Sequence, residues 1–326
     1  MKSATNRLHT PRAFSLIELL VVIAIIGIVI AILIPALKGA RIQSRKVATQ
    51  ATLRDLGNAS LQFTNANNRN PGHFSPAQMG ASANAQAGGG FTNMQNILLD
   101  ISGGLTQASA SPGVIFDVGP GGTPTEMVDI TKIGSSTTGK GYFAPDKAAL
   151  VADAGLAGSA NNKMMPQIVD AFGNPILAWV QDERPSNLFA ADDSSTLARF
   201  YWSSNAGVLN STGIGRDQRD HKNGSSMLGG GYSATQRVET MGGLLGNPAF
   251  PRQPVSTPAI PAAPRGPIVF ESAGADGFFM GRFDRGAKTF GLPLGGNPTS
   301  VPYVASTSAD TDVMGAFDDI IHAAGN

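Results

Sequence analysis

Polar and apolar positions divide this chain into a long apolar block, a stretch with helical periodicity and a mixed remainder. From Leu19 to Leu37 no residue is charged, and Ile, Leu, Val and Ala dominate. A helix rises about 1.5 Å per residue, so this run nearly crosses a hydrocarbon layer of roughly 30 Å, and Phe14 to Glu18 complete the span. From Lys38 to about Asn68 the pattern changes. Ile42, Leu53, Leu56 and Phe63 recur at helical spacing beside polar positions, with Ala48, Ala51 and Ala59 filling between. The spacing predicts an amphipathic continuation of the same helix, laying one stripe on a globular body. Asn67-Asn68-Arg69-Asn70-Pro71-Gly72 ends it, because Asn and Gly accept a left-handed cap and Pro cannot continue a helix. Pro35 lacks a donor and crowds the carbonyl of Ala31, so a kink or softened turn is expected there.

Beyond the helix, Phe74 to Gly90 is rich in Ala, Gly, Ser and Asn and reads as loop, while Asn93 to Ser102 suits a short helix. Strand candidates are Gly113–Val118, Met127–Ile133, Ile176–Gln181, Leu197–Trp202, Pro267–Ser272 and Gly277–Phe283, each bounded by turn formers. Pro248 to Pro267, with repeated Pro and Ala, reads as an extended surface linker.

Composition narrows the class. The chain has 326 residues, a net charge of +1 and 14% charged residues, a balance that argues against a nucleic-acid surface. Its 40 Gly and 21 Pro imply a loop-rich body, and the absence of Cys removes disulfides and thiolate metal sites. Charge around the apolar block is unusual. Lys2, Arg7 and Arg12 precede it, but Lys38, Arg41, Arg45, Lys46 and Arg54 follow it, so the positive-inside rule alone does not set the orientation.

Glu18 is the residue that a plain anchor does not explain. A carboxylate in a membrane segment costs on the order of 2.5–3.5 kcal/mol and is normally absent or functional, although near one end it can snorkel to the interface. A secretory signal has a shorter apolar region and a small-residue exit, which Ala31 to Ala36 does not supply. Ala13-Phe14-Ser15-Leu16-Ile17-Glu18 resembles the processing site of type IV prepilins and type II secretion pseudopilins. That resemblance implies a leader, residues 1–13, cut by prepilin peptidase between Ala13 and Phe14, followed by N-methylation of Phe14. Ala13 stands where the family usually has Gly. The resemblance also implies an assembly role for Glu18 and helix-loosening roles for Gly27 and Pro35.

Two further stretches extend the likeness. Asp170-Ala171-Phe172-Gly173-Asn174-Pro175 before Ile176-Leu177-Ala178-Trp179-Val180 is similar to the Asp-x-x-Gly-Asn-Pro hairpin entry of pseudopilins. Glu271-Ser272-Ala273-Gly274-Ala275-Asp276-Gly277, with Asp312 and Phe317-Asp318-Asp319-Ile320, resembles the C-terminal segment in which major pseudopilins bind calcium. Calcium takes six to eight oxygen ligands. The resemblance makes Asp276, Asp318 and Asp319 the first candidates, with Asp312 and Asp284 behind them. In this chain a long insertion separates the two parts, and a Gly-rich hairpin with solvated acids is the alternative.

Other constellations carry less. Gly134 to Gly141 approximates a phosphate loop, but Gly141 stands where Ser or Thr would hold magnesium, and Pro145 follows where a helix is needed. Arg216 to Lys222 alternates in sign like a solvated loop. His9, His73, His221 and His322 are scattered and form no recognisable catalytic set.

The expected fold is α+β and pilin-like: a long N-terminal helix on a mostly antiparallel sheet with long loops. The domains expected are the leader 1–13, a membrane half 14–37, an exposed helical half 38–70 and a head 71–326. The resemblance implies a non-enzymatic pseudopilin of a type II secretion filament, anchored in the inner membrane with its N-terminus cytoplasmic and its head periplasmic. Its partners would be prepilin peptidase, other pseudopilins in a filament and the secretion assembly platform. A type IV pilin or minor pilin for adhesion or DNA uptake, and a membrane-anchored enzyme or binding module with a pilin-type leader, remain open alternatives.

Overall fold

A computed structural model describes residues 16–86, 88–121, 125–134, 141–152, 156–211, 226–246, 263–281 and 317–325. In chain order its helices and strands begin with α1 (Leu16–Asn67), α2 (Pro76–Met79), α3 (Asn93–Ile101), β1 (Ile115–Val118) and β2 (Glu126–Asp129). They continue with β3 (Leu150–Val151), α4 (Ala160–Met164), β4 (Gln167–Ile168), β5 (Ile176–Val180), β6 (Ala190–Ala191) and β7 (Phe200–Tyr201). The last are α5 (Ala206–Leu209), α6 (Ala234–Leu245), β8 (Ile268–Ser272) and β9 (Ile320–Ala324). The chain divides into two compact units, Met1–Ser44 and Arg45–Asn326.

In the first unit every described side chain is exposed. α1 is assigned as helix without interruption through Gly27 and Pro35, and it is long and apolar enough to cross a membrane.

In the second unit α1 behaves differently. Thr49, Leu53, Leu56, Gly57, Ala59, Ser60 and Phe63 are buried, one or two residues per helical turn along one face. The predicted stripe therefore starts later than expected: Ile42, Ala48 and Ala51 are exposed, and Thr49 takes the first buried position. The helix exit follows the expectation. Asn68 adopts φ 53° and its N–H donates to Thr64 O at 2.8 Å. Arg69 then grips both oxygens of Asp100 at 2.7 and 3.1 Å, while its guanidinium lies 4.8 Å from the centre of the Phe63 ring.

The stripe rests on a three-stranded antiparallel sheet of order β5-β8-β9. Ile176 pairs with Ser272 and Val180 with Ile268, and β8 continues the register to β9 from Ile268–Ala324 to Ser272–Ile320. Alternating residues feed two cores. Ile176, Ala178, Ile268, Phe270, Ile320 and Ala324 join Leu53, Leu56 and Phe63 on the helix side. Leu177, Trp179 and Val269 face the other way and pack with Phe200, Trp202, Met241, Leu244 and Phe279. Strands buried on both faces read as unbroken apolar runs, which accounts for the sequences of β5 and β8. The remaining sheets are two-stranded: β1-β2 and β3-β4 are antiparallel, and β6-β7 is parallel. The fold is thus a pilin-like α+β arrangement, with a long N-terminal helix, antiparallel sheets and long connections.

Several expectations are corrected. Within the Phe74–Gly90 segment the chain forms α2, started by a Ser75–Gln78 capping box with Pro76 in the first turn, and a 3-10 turn at Ser82–Ala85. The Leu197–Trp202 strand shrinks to Phe200–Tyr201, since Trp202–Asn205 winds into a 3-10 turn. Gly277 to Gly281 forms turns and a single bridge instead of a strand. α6 and β9 were not anticipated. Most of the linker-like segment, residues 248–262, and Ala13, Phe14, Asp284, Asp312 and Arg216–Lys222 lie outside the described residues.

With no Cys, buried side-chain amides hold the loops. Asn84 donates to Met79 O, Phe91 O and Ser203 O and accepts from the N–H groups of Gly90 and Phe91, all within 2.8–3.2 Å. Asn162 links Gly89 and Gly119 in the same way. Each buried amide satisfies backbone groups that irregular chain leaves without a ladder partner.

Candidate functional site

Two regions carry the candidate residues: the start of α1 and a corner where the β4–β5 turn meets the ends of β8 and β9. At the first, Glu18 lies in the first turn of α1 and is exposed, on a helix otherwise apolar to Leu37. A carboxylate near a helix N-terminus is favoured by the helix dipole, which offsets part of its cost in apolar surroundings.

The corner is built from the motif residues themselves. Asp170 is buried, and its Oδ1 accepts from the N–H groups of Phe172 and Asn174 at 2.8 and 2.9 Å. The backbone closes the same turn, since Asp170 N–H donates to Asn174 O at 2.8 Å. That leaves Oδ2 of Asp170 to accept from the Ser272 hydroxyl at 2.6 Å. Asn174 reaches across as well, donating through Nδ2 to Gly274 O at 3.0 Å. The Asp-x-x-Gly-Asn-Pro turn and the Ser-Ala-Gly turn are therefore clasped together by two side chains. Thr49 of α1 joins them, its hydroxyl accepting from Ala171 N–H at 3.2 Å.

Gly274 explains why the second turn needs glycine. Its φ is +63°, and a Cβ would stand 2.5 Å from the backbone oxygen of Asp318. Asp318 sits against this turn and its Oδ2 accepts from the N–H groups of Ala275 and Asp276, at 3.0 and 3.1 Å. Asp276 caps the same turn, with Oδ1 accepting from Phe278 N–H at 2.7 Å. Asp319 is buried on the far side, where Oδ2 accepts from Met280 N–H at 2.5 Å.

Glu271 is the residue that sequence reasoning missed. It sits in the middle of the sheet, fully buried, with Oε2 accepting from the indole N–H of Trp179 at 2.8 Å. Burial pushes its carboxyl up to about 8. Burial also raises Asp319 well above the usual carboxylate range, and the neighbouring Glu271 raises it further. Two such carboxyls cannot both ionise cheaply, so the pair keeps at least one proton at neutral pH. An acid inside the apolar strand Ile-Val-Phe-Glu-Ser was the available signal.

The predicted calcium candidates are thus only partly gathered. Asp276, Asp318 and Asp319 occupy one corner, where each accepts from backbone N–H groups. Among the described residues no three His, Cys, Asp or Glu side chains are grouped to hold a metal ion. Oδ1 of Asp318, Oδ1 of Asp319 and Oε1 of Glu271 are nonetheless buried without a hydrogen-bond donor. Either a cation or a proton shared by the pair satisfies atoms of this kind.

A cavity of about 630 Å³ opens elsewhere, where the exit of α1 meets α3 and the end of β5, lined among others by Arg69, Asn70, His73, Asn93, Glu183 and Arg184. Its charges are largely answered from within. Arg69 is held by Asp100, Arg184 by Asp182 at 2.6 Å, and Asn70 donates to Glu183 at 3.1 Å.

Residues 9–34 match the prokaryotic N-terminal methylation motif. The matched segment includes the predicted cleavage position and Glu18, and it carries the signature of type IV pilin- and pseudopilin-like prepilins, which implies processing by prepilin peptidase. No curated protein and no solved structure matches the chain.

Proposed function

We propose that this chain is a pseudopilin of a type II secretion system, a structural subunit held in the inner membrane and then packed into a short filament. The leader, residues 1–13, is removed between Ala13 and Phe14, and the new amine of Phe14 is methylated. The apolar residues 14–37 hold the subunit in lipid, with the N-terminus cytoplasmic and the head periplasmic. Moving that helix into a filament core costs little, because both environments are apolar. There the amine of Phe14 in one subunit pairs with Glu18 of its neighbour, so two groups costly in apolar surroundings neutralise each other.

One observation carries the preference for a pseudopilin over a type IV pilin. The Asp170–Pro175 turn and the Ser272–Gly277 turn, the two stretches that resemble pseudopilins, hydrogen-bond to each other through Asp170–Ser272 and Asn174–Gly274. A binding module with a pilin-type leader is the second reading, favoured by the cavity beside α3. N-terminal mass spectrometry of membrane-extracted protein tests the first. The expected terminus is methylated Phe14, and an intact Met1 or a cut after Ala31 or Ala36 rules the reading out.

Calcium belongs to the same proposal. The orphaned oxygens of Asp318 and Asp319 support it, and the lack among the described residues of three acids grouped to hold an ion weighs against it. A bound ion at a hundred times its Kd adds about 2.7 kcal/mol to the folded state. The expected result is a lower melting temperature in chelator that Asp319→Ala abolishes. Identical melting with and without calcium removes the ion and leaves the shared proton.

A further inference from the structure

We propose that Lys38 and Arg41, the cationic turn directly after the apolar run of α1, bind the phosphate headgroups of anionic phospholipids. This rests on the membrane-anchored reading and adds a specific lipid class to it. Both residues are exposed, and none of the ion pairs among the described residues uses them. They are three residues apart on one helix, so their side chains share a face.

Depth and charge both select the headgroup. Lys38 follows Leu37, and at about 1.5 Å per residue Arg41 lies only about 6 Å beyond it. The polar layer on each side of a bilayer is roughly 5–7 Å thick, so both cations fall within it. Their aliphatic stems lie along the apolar boundary while the charged ends reach outward. Arg41 offers a planar fork that fits a phosphate with two hydrogen bonds. No competing carboxylate is near in sequence, since no Asp or Glu occurs between Glu18 and Asp55. Arg45 and Lys46 follow and lengthen the basic stretch of sequence.

This assignment accounts for the cations on the wrong side of the apolar run by the positive-inside rule. They do not set orientation. They hold the emerging helix at the lipid surface, so the subunit must exchange headgroup contacts for contacts with its neighbours when it assembles. The competing occupant is an acidic face of a second subunit, which gives no lipid preference in dispersed protein.

The full chain is reconstituted at low protein density into phosphatidylcholine vesicles carrying a trace of spin-labelled phosphatidylglycerol or spin-labelled phosphatidylcholine. The electron paramagnetic resonance spectrum reports which labelled lipid is motionally restricted at the protein. The expected result is a several-fold preference for phosphatidylglycerol that fades toward none at about 1 M salt, where the screening length is near 3 Å. The double variant Lys38→Gln/Arg41→Gln should lose at least half of that preference. Equal association of the two lipids with the unaltered chain overturns the proposal, and so does a preference that the double variant leaves unchanged. Vesicle flotation separates the two levels of failure. A chain that floats without preference defeats this inference alone, whereas one that does not float defeats the membrane anchor as well.

Discussion

The segments Leu16–Ser44 and Arg45–Asn67 belong to one helix, yet they meet their surroundings in opposite ways. In the first, large apolar residues are exposed, with Ile25, Ile26 and Ile28 at 50% or more. In the second, Leu53 and Leu56 are wholly buried and Phe63 nearly so. Helix propensity does not distinguish them. The difference is where the apolar surface finds cover: the second segment finds it within its own chain, on the sheet face lined by Ile176, Phe270 and Ala324. The first has no such cover among the described residues, and in the proposed function lipid or neighbouring subunits supply it. A helix hydrophobic on all sides suits that role, while a helix with one apolar stripe suits a sheet.

That comparison can be broken most directly at Glu18. Glu18→Ala should leave the head's melting temperature unchanged and the protein in the membrane, while abolishing filament formation. Leaving the Phe14 amine buried without its partner costs about 3–5 kcal/mol at each contact. Electron microscopy of assembled material decides it, and normal filaments from the variant would defeat the cross-subunit pairing.

A matched pair of truncations gives the next largest effect. Leu56→Ala empties a site in the core and should destabilise the head by about 2–5 kcal/mol. Ile26→Ala, in the other segment, should leave denaturant unfolding of the head where it was. If both variants shift unfolding equally, the two segments are not energetically separate.

The third test reads the core on the face of the sheet turned away from α1, where Glu271 meets Trp179. Burial pushes the Glu271 carboxyl from its ordinary 4.5 up to about 8 in the folded protein. The folded state therefore holds a proton that the unfolded chain has released, and stability falls as pH rises from about 4.5 towards 8. The slope for one such proton is at most about 1.4 kcal/mol per pH unit. Urea unfolding at several pH values should show the decline, and Glu271→Gln should flatten it. A stability that climbs with pH across that range would contradict the buried acid pair.

The smallest effect belongs to the seat of the helix itself. His322 on β9 lies under Gly57 of α1, where a Cβ would stand 2.6 Å from the imidazole Nε2. Burial, and then Arg54, hold His322 below its ordinary 6.5. The unfolded chain thus takes up the proton first, and acidification through the region just below pH 6.5 weakens the head. Partial exposure keeps this contribution small. Amide exchange along Arg45–Asn67 should quicken on mild acidification beyond its intrinsic pH dependence, and His322→Gln should remove that excess. No such change would mean that the helix seat does not feel the imidazole.

Much of this arrangement was readable in advance. The strands β5 and β8 were legible because they are buried on both faces and appear as apolar runs bounded by Pro and Gly. The end of α1 at Asn67 was legible because Asn, Pro and Gly act locally on the backbone. β9 was not, since Ile-Ile-His-Ala-Ala has little pattern of its own and becomes a strand by pairing with β8 from far along the chain. α6 was obscured by Gly242 and Gly243, poor helix formers whose cost is overridden by burial of Met241 and Leu244 in the core that holds Trp202.

The apolar run, the processing motif and the two turn motifs are legible from the residues alone, because each depends on positions close together along the chain. Folding alone brings Asp170 to Ser272, Asn174 to Gly274, and Glu271 and Asp319 together as one buried acid pair. Those links join residues distant in sequence, and they depend on strand register and on loss of water from side chains. Neither is encoded at any single position: a register is chosen by the sum of pairings along two strands, and desolvation by everything that packs around a group.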